Sequence, residues 1–428
     1  MRQEMAGPRD GQPGAAVALV AQDTARQRAS ASGAVTSARL GYVDGLRALA
    51  ALYVVFSHIV TEVWQYNNPP AGVASALAVP FSFGHYAVSV FIVLSGFSLM
   101  LPVARRDNRL PWGVWGFFWR RARRILPPYY LAMALSLILI WLFIGQKTGT
   151  HWDVSLPVTG RSIIEHLLLY QNLSTDSTAI NHAFWSIAME CQIYLFFPLF
   201  VLLWRRYSPV FAMVLIVLLS LAAVLWLTQT WIGHLPYYAG FTFVPQYFGL
   251  FAIGMCAASV YTTQTPRWLR LRDRYVWEPI ALVCFVILAL TINIWPIYVL
   301  DLLVATGTVG LLFAASRPGP RNPVRAALDW RPLVWIGGFS YSVYLIHAPL
   351  IQLLWQYGLR PLGFGLGALP TYLALLVTGL PLIVAASWGF WYVGERPFLN
   401  SRPTSWRAQS SAADVPALVT VRGDDKTR

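Results

Sequence analysis

Two ionisable side chains share the first long apolar segment of the sequence, GLRALAALYVVFSHIV. Arg47 and His58 are eleven residues apart, so on an α-helix both project from one face, about 16 Å apart along the axis. Charged groups are costly inside lipid, and such residues usually mark a transport pathway or a reactive site. Glu62, one turn beyond His58, is suited to accept a proton from the imidazole and hold one tautomer, or is simply a wet helix end.

The composition shows which solvent that helix lives in. Hydrophobic residues make up 57% of the chain and charged residues 12%, against roughly 25% charged residues in soluble domains. Apolar runs of the length that spans a bilayer recur along the chain, which predicts an all-α, polytopic helical bundle in a membrane. The net charge of +14 then reports on topology, and no nucleic-acid partner is expected. The three cysteines lie in apolar runs without metal-ligand spacing, so no metal is expected either: Cys191, Cys256 and Cys284.

Ten apolar runs predict ten transmembrane helices. They lie near 42–65, 80–101, 125–146, 184–204, 209–228, 238–260, 276–294, 297–315, 333–357 and 370–393. The segments after the second, fourth, sixth and eighth runs hold seven, two, four and four Lys or Arg residues, and the other five joints together hold three. Because cytoplasmic loops carry the excess of positive charge, both termini are predicted to be cytoplasmic. The runs at 276–294 and 297–315 are two residues apart, and a single re-entrant hairpin is the alternative there.

The transmembrane domain is predicted to occupy residues 39–400. Residues 1–38 are rich in Ala, Gly, Gln, Ser and Arg. They and residues 401–428 are predicted to be disordered cytoplasmic tails.

The predicted topology gives each polar residue a depth. Arg47 lies near the inner end of the first helix and His58 in its outer half, while His85, Glu190 and His347 reach a similar outer depth on three other spans. Four ionisable residues at one level predict a reaction centre. Two plainer interpretations remain, because His85 fits a hydrogen-bonded packing residue and Glu190 fits a carboxylate that snorkels to the interface or satisfies a kink.

A run of arginines, WRRARRILPPYY, precedes two prolines that are expected to open the third predicted helix. Clustered guanidinium groups clamp phosphate through paired hydrogen bonds. The alternative is that these side chains only set topology and touch anionic lipid. The four are Arg120, Arg121, Arg123 and Arg124.

Six motifs occur in order along these spans. They are Arg47 with His58; Ser95, Gly96 and Phe97 in FGHYAVSVFIVLSGF; Arg120, Arg121, Arg124, Ile125 and Pro127; Trp185, Ser186 and Glu190 followed by Tyr194; SYSVYLIHAP with His347 and Pro349; and ERP at 395–397. In this order they resemble the acyltransferase-3 family of bacterial membrane O-acyltransferases, from about residue 41 to residue 397.

The resemblance implies transfer of an acyl group, expected to be acetyl, from acyl-CoA to a hydroxyl of a carbohydrate or glycosylated acceptor. Phosphates of the donor would be held by Arg47, Arg120, Arg121 and Arg124, and the pantetheine arm would rise along the first helix. His58 would act as the general base on the acceptor hydroxyl. Glu190 would orient either the imidazole or the sugar hydroxyl, and Glu62 and His347 would complete the catalytic group. Substrate-binding residues would be His85, Ser89, Trp185 and Ser186.

One position departs from the family pattern. Many members carry an acidic residue where this chain has Ser89, with His85 four residues earlier, which fits a subgroup with a different acceptor. Some relatives continue into an extracytoplasmic esterase-like domain, and this chain is expected to complete transfer alone or with a separate partner. It is expected to lie in a bacterial cytoplasmic membrane.

Transport is the competing function. A bundle with buried His and Glu also suits a proton-coupled carrier or a flippase for a sugar or lipid-linked substrate, although neither internal repeats nor broken helices are evident in the sequence. A regulatory membrane protein with a degenerate site is a third alternative. The acceptor of an enzyme stays open between an envelope polysaccharide, a glycolipid and a macrolide-like metabolite.

Overall fold

A computed structural model of the chain describes residues 40–64, 70–228, 242–319, 322–362 and 367–399. Within these ranges the regular structure is helical throughout, with no β-strand, so the predicted all-α class is confirmed. The predicted tails at 1–38 and 401–428 lie outside the described residues.

Seventeen α-helices occur in the described ranges. They are α1 Gly41–Val63, α2 Val73–Ala78, α3 Gly84–Ala104, α4 Gly113–Leu139, α5 Gly160–Leu167, α6 Trp185–Arg206, α7 Pro209–Leu227, α8 Gln246–Thr262, α9 Pro266–Arg272, α10 Trp277–Thr291, α11 Ile297–Ser316, α12 Pro323–Leu328, α13 Arg331–Gly337, α14 Ser340–Leu353, α15 Ala368–Ala374, α16 Leu380–Phe390 and α17 Arg396–Leu399. Single π-helical turns extend α4 through Ile140–Ile144 and α14 through Leu354–Leu359, and two more join α15, α16 and α17 into one rod.

Seven helical segments in the described ranges are long and apolar enough to cross a membrane, and nine are if each of two bent pairs counts as one span. The bends are 55° between α9 and α10 and 77° between α13 and α14. Each of the ten predicted spans overlaps a helix, but α8 has only 17 residues, and the count of ten and the orientation stay predictions. The two bent pairs contain breaks between helices that the sequence did not predict. The apparent absence of broken helices in the sequence is therefore no argument against a carrier.

The arginine run lies inside a helix rather than in front of one, which corrects the sequence prediction. Helix α4 begins at Gly113 and continues through Pro127 and Pro128. A proline inside a helix removes one backbone hydrogen bond, and membrane helices tolerate this where neighbouring groups compensate. Pro127 and Pro128 free the carbonyls of Arg123 and Arg124, and the next carbonyl, that of Ile125, accepts from the Tyr341 hydroxyl of α14 at 3.2 Å, which joins this part of α4 to α14.

Helices α3 and α8 pack through two glycines. A Cβ atom on Gly96 would lie 2.1 Å from the carbonyl oxygen of Phe251, and one on Gly254 would lie 2.1 Å from that of Val93. Small residues let membrane helices approach to backbone contact, where van der Waals packing stabilises the pair. Gly96 of the SGF motif therefore has a packing role, and it fixes α3 beside the polar residues described below.

Helix α1 packs against α14 through a buried apolar cluster that includes Val55, Ile59, Val343 and Ile351. These residues flank His58 on α1 and His347 on α14. The packing thus fixes the distance between the two helices at the level where the histidines face each other.

The connection between α4 and α6 folds over this region. Its Trp152 is fully buried and packs with Ile140, Ile144 and Ala348. Ser155 ties the two ends of the connection together, because its carbonyl accepts from the Ile180 amide and its hydroxyl accepts from the His182 amide. The connection thereby brings its own histidines to the ends of α1 and α14.

Candidate active site

His58 and His347 form a hydrogen-bonded pair. Nδ1 of His58 lies 2.7 Å from Nε2 of His347, and the two rings are stacked with centroids 4.9 Å apart. Nδ1 of the fully buried His347 faces the carbonyls of Tyr344 and Val343 at 2.8 and 3.1 Å. Carbonyl oxygens only accept, so Nδ1 of His347 carries a proton, and in the neutral ring its Nε2 is the acceptor. Nδ1 of His58 must then donate, which leaves the lone pair of His58 on Nε2.

Glu62 does not play the part that the sequence analysis assigned to it. Its Oε1 is buried and has no hydrogen-bond partner among the described residues, and the carboxyl group faces Thr150 and the backbone of Trp152. The tautomer of His58 is held by His347 instead. Helical spacing put Glu62 within reach of His58, but the connection between α4 and α6 competes for the carboxylate.

Two further histidines, missed by the sequence analysis, surround His58. The ring centroids of His58 and His182 are 4.7 Å apart, those of His151 and His182 are 4.7 Å apart, and those of His58 and His151 are 6.1 Å apart. Burial lowers the pKa of His151 to about 4. Burial, followed by the neighbouring histidines, also lowers the pKa of His182, so both rings are neutral near pH 7. One feature of the sequence pointed to them: His182 lies three residues before Trp185, which belongs to one of the six motifs.

The described residues contain no group of three or more His, Cys, Asp or Glu side chains that could hold a metal ion. Nε2 of His182 is buried and has no hydrogen-bond partner in the described part of the chain, while its Nδ1 lies 3.2 Å from the Ser155 hydroxyl. The rings of His151 and His182 line the space around His58.

His85 belongs to a separate polar group centred on Asp301 of α11. Asp301 is fully buried and accepts from Ser89 at 2.6 Å, from Gln246 at 3.0 Å and from Nε2 of His85 at 3.1 and 3.2 Å. The carboxylate that the family pattern places near Ser89 is thus supplied here by another helix. Asp301 was overlooked although it is an acidic residue inside an apolar run, the same signal that singled out Glu190.

Trp185 and Ser186 connect the Asp301 group with the histidine pair. The Trp185 ring lies parallel to that of His85, with centroids 6.3 Å apart. The Ser186 hydroxyl lies 2.6 Å from that of Tyr344, whose ring is 5.8 Å from that of His347. Of the four residues predicted at one level, His58 and His347 are in contact, and His85 is joined to them through Trp185, Ser186 and Tyr344.

Glu190 lies apart from these side chains. Its carboxylate accepts from Ser95 at 2.9 Å and, through a very short contact, from Tyr194. Ser95 precedes Ser98 by three residues on α3, and Ser98 accepts from Arg47 at 2.7 Å. Glu190 is thus one helical turn from the arginine level and has no contact with His58, so it cannot orient the imidazole in this arrangement.

Three of the four arginines expected to bind the donor share this inner region. Arg47 also pairs with Asp44 at 3.1 Å and lies within electrostatic reach of Arg124, and Arg121 interacts with Arg124 and Glu190. Arg120 turns away, because its guanidinium stacks 3.3 Å from the Trp112 ring and donates to the Pro111 carbonyl. Arg47, Arg121 and Arg124 lie among three carboxylates, those of Asp44, Glu190 and Glu395, the last of which lies within electrostatic reach of Arg124.

A cavity of about 600 Å³ lies between α6 and the start of α4. On α6 its lining residues begin one turn beyond Tyr194, and on α4 they lie about two turns before Arg121. Two arginines, Arg109 and Arg205, are among the lining residues. The lining residues are Arg109, Leu110, Gly113, Val114, Pro198, Leu199, Val201, Leu202 and Arg205.

Comparison with known proteins identifies the domain. The family model described as an acyltransferase domain, that of acyltransferase-3, matches residues 40–391. The chain belongs to the acyltransferase-3 family. This match covers every polar group described above, from Arg47 to His347.

Several curated relatives carry the same domain. Peptidoglycan O-acetyltransferase OatA of Listeria monocytogenes is 24% identical over 73% of this chain and 49% of its own length. The putative peptidoglycan O-acetyltransferase YrhL of Bacillus subtilis is 26% identical over 73% of this chain and 48% of its own length. Acyltransferase MdmB of Streptomyces mycarofaciens is 32% identical over 39% of this chain and 41% of its own length. The chain spans about half the length of these relatives or less, and no solved structure matches it.

Membership in the acyltransferase-3 family gives the sequence motifs a common structural meaning. The motif serine Ser95 joins Glu190 to Tyr194, and the motif arginines Arg47 and Arg121 lie beside them. The family's motif residues therefore form two polar groups, one with Arg47, Arg121 and Glu190 and one with His58 and His347.

Proposed function

We propose that this chain transfers an acyl group, in the simplest case acetyl, from acyl-CoA to a hydroxyl of a carbohydrate or glycosylated acceptor. The observation that carries the proposal is the His58–His347 pair, whose hydrogen bonds leave a lone pair on Nε2 of His58. On the same helix, Arg47 lies about 16 Å away along the axis. Acyl-CoA carries its phosphates at one end and its thioester at the other. One donor molecule would therefore place its phosphates near Arg47 and its thioester near His58.

The arginine end supports binding of the donor phosphates. Arg47, Arg121 and Arg124 are grouped at this end, and guanidinium groups bind phosphate oxygens in pairs. The cavity between α4 and α6 is lined by two more arginines, Arg109 and Arg205, and its volume lies in the range of small-molecule sites. In this proposal the nucleotide occupies the cavity and the pantetheine arm runs along α1 towards His58.

The chemical step follows from the tautomer of His58. Nε2 takes the proton of the acceptor hydroxyl while that oxygen attacks the thioester carbonyl, and the C–O ester bond forms as the C–S bond breaks. The thiolate of CoA leaves and takes up the proton from the imidazolium. Nδ1 of His58 donates to His347 throughout, which stabilises the positive ring and keeps its orientation.

The relatives support a carbohydrate acceptor and a bacterial cytoplasmic membrane. Two of them are named for O-acetylation of peptidoglycan, which is a carbohydrate polymer. With the topology inferred from the positive charges, the arginines face the cytoplasm, where acyl-CoA is made, and the histidines lie towards the outer side. The acyl group would then cross the membrane within the protein.

Transfer of radiolabelled acetyl from acetyl-CoA tests the proposal. The protein in lipid nanodiscs is supplied with labelled donor and soluble peptidoglycan fragments, and label on the sugar is measured. We expect label with the wild-type chain and a loss of at least about 100-fold in His58→Ala, the range that general-base catalysis supplies. His166→Gln is the matched control, since His166 bonds within α5 to the Ser162 carbonyl. Equal transfer by His58→Ala contradicts His58 as the base, and solute uptake into vesicles without acylation indicates a carrier.

A further inference from the structure

We infer that Asp301, His85 and Gln246, together with the rings of Trp185 and Tyr247, form a binding subsite for a neutral sugar ring of the acceptor. In this subsite Asp301 is a positioning residue that fixes His85, and Nδ1 of His85 accepts a hydrogen bond from a sugar hydroxyl. The inference rests on the proposed function and adds the binding site for its acceptor.

The carboxylate of Asp301 is held by three donors from two neighbouring helices. Ser89 of α3 and Gln246 of α8 donate to it at 2.6 and 3.0 Å, and His85 of α3 approaches both oxygens. A fully buried carboxylate is costly unless it is hydrogen-bonded, and this one is bonded on both oxygens. Such a network is expensive to maintain in a membrane helix, and residues of this kind serve function more often than packing.

Asp301 decides which nitrogen of His85 is open to a ligand. Nε2 faces the carboxylate and therefore donates, so in the neutral ring Nδ1 carries the lone pair. The side chain of His85 is 24% exposed, whereas that of Asp301 is not exposed at all. His85 can consequently be reached by a ligand that cannot reach Asp301. The Tyr247 hydroxyl lies 3.4 Å from Nδ1, so a hydroxyl bound there would also meet Tyr247.

Aromatic rings border this position. The Trp185 ring lies parallel to His85 at 6.3 Å, and the Tyr247 ring lies 5.7 Å from His85 and 6.2 Å from Trp185. Trp185 is partly exposed and offers a flat apolar face with a polar edge, and the fully buried Tyr247 packs behind this position. A sugar ring presents apolar C–H faces and hydroxyl edges, which match this combination. The carboxylate next to the site repels an anion, so the chemistry favours a neutral ring.

The subsite adjoins the reactive pair. Gly84, the residue before His85, donates to the hydroxyl of Ser57, the residue before His58, at 3.0 Å. Trp185 is followed by Ser186, whose hydroxyl meets that of Tyr344 beside His347. A sugar held at His85 can therefore present a second hydroxyl towards Nε2 of His58, where the acyl group is transferred.

The test separates acceptor binding from donor use. We measure KM and kcat for the acceptor, and hydrolysis of acetyl-CoA without acceptor, in full-length protein in nanodiscs. Asp301→Asn turns an N–H towards a donor and disturbs the tautomer of His85, so we expect the acceptor KM to rise about tenfold, the loss typical of one hydrogen bond to a charged group. Donor hydrolysis should stay within about twofold of wild type. Asp273→Asn, which removes a carboxylate paired with Arg272, is the matched control and should leave the acceptor KM unchanged.

A double variant that exchanges the residues at positions 89 and 301 separates loss of the carboxylate from misfolding of the protein. Ser89 and Asp301 are 2.6 Å apart, so Ser89→Asp combined with Asp301→Ser returns a carboxylate to the same place. We expect the double variant to recover most of the acceptor affinity lost in Asp301→Ser, and Ser89→Asp alone to be the least stable because it places two carboxylates together.

Three outcomes are decisive. An acceptor KM that stays at the wild-type value in Asp301→Asn and in His85→Gln, with the wild-type chain active, overturns the subsite but not the proposed function. An equal loss of donor hydrolysis in Asp301→Asn also overturns it, since the residue would then act on the donor side or on folding. A wild-type chain that labels no carbohydrate overturns the proposed function and the subsite together.

Discussion

The Nδ1 atom of His58 lies 2.7 Å from Nε2 of His347, and the other nitrogen of His347 faces two backbone carbonyls. The backbone of α14 therefore sets the tautomer of one histidine, and that histidine sets the tautomer of the next. In the proposed mechanism this chain of hydrogen bonds orients the base without a carboxylate. It predicts that His347 acts through His58 rather than on the substrate.

Substitutions at His347 test this role. A glutamine can place its side-chain oxygen near the position of Nε2 and accept from His58, whereas a leucine cannot. We expect His347→Leu to lower kcat by about 100-fold, within the range of general-base effects, and His347→Gln to retain at least about tenfold more activity than His347→Leu, the worth of one hydrogen bond to a charged group. Acceptor labelling under saturating acetyl-CoA measures both. Equal kcat values for the two variants would show that the hydrogen bond to His58 does not matter.

Arg121 and Arg120 are adjacent in sequence but have different surroundings, which makes them a matched pair. Arg121 interacts with Arg124 and Glu190, and Arg120 stacks on Trp112. We expect Arg121→Gln to weaken donor binding by about tenfold, the loss of one charge-assisted contact, and Arg120→Gln to change it less than about threefold, as surface charges usually do. Isothermal titration with a non-hydrolysable acyl-CoA analogue measures the affinities. A larger effect at Arg120 would contradict the arrangement of the donor site.

Glu190 distinguishes the donor side from the acceptor side. The sequence left open whether it orients the imidazole or the sugar hydroxyl, and its carboxylate contacts Ser95 and Tyr194 rather than His58. We expect Glu190→Gln to lower the KM for acyl-CoA by about tenfold, because the neighbouring arginines then attract the donor phosphates more strongly, while the acceptor KM changes less than about twofold. Steady-state kinetics with each substrate varied in turn provide the measurement. A selective rise in the acceptor KM would return Glu190 to the acceptor site.

Helical geometry explains how far the sequence alone could predict the site. His58, His85 and His347 are predicted at one depth because the rise per residue of a helix is fixed, and the side chains between them join the three into one layer. Glu190 does not contact this layer. A depth counted from a predicted helix start does not show which side chains of other helices lie beside a residue. The position of Glu190 depends on Ser95 of α3, and that packing follows from the contact between Gly96 and the backbone of α8, which no pattern within one helix encodes.

The residues that were missed divide into two kinds. His151 and His182 lie on the connection between α4 and α6, whose path depends on the burial of Trp152 and on the hydrogen bonds of Ser155, and apolar periodicity carries no information about such a path. Asp301 stands inside an apolar run and was detectable from sequence. Its partners Ser89 and Gln246 come from other helices, so only the three-dimensional contacts reveal its role.

The buried histidines of this connection predict sensitivity to acid. Burial lowers the pKa of His151 to about 4, below the value of about 6.5 for an unfolded chain. The folded state thus prefers the neutral ring, and its stability falls as the pH drops from about 6.5 towards 4. We expect the melting temperature in detergent to fall between pH 7 and pH 5, and His151→Gln to fall less. An identical pH dependence in the variant would exclude His151 as a source.

The contact between α3 and α8 gives the last prediction. A side chain at Gly96 would meet the carbonyl of Phe251, which is backbone and cannot rotate away, whereas one at Gly389 on α16 would meet nothing within 4 Å. We expect Gly96→Ala to destabilise the protein by about 1–3 kcal/mol, the usual cost of overpacking, and Gly389→Ala to be near neutral. Thermal unfolding in detergent compares the two. Because α3 carries His85, Ser89, Ser95 and Ser98, the displaced helix in Gly96→Ala should weaken use of donor and acceptor together, whereas Asp301→Asn should affect the acceptor alone.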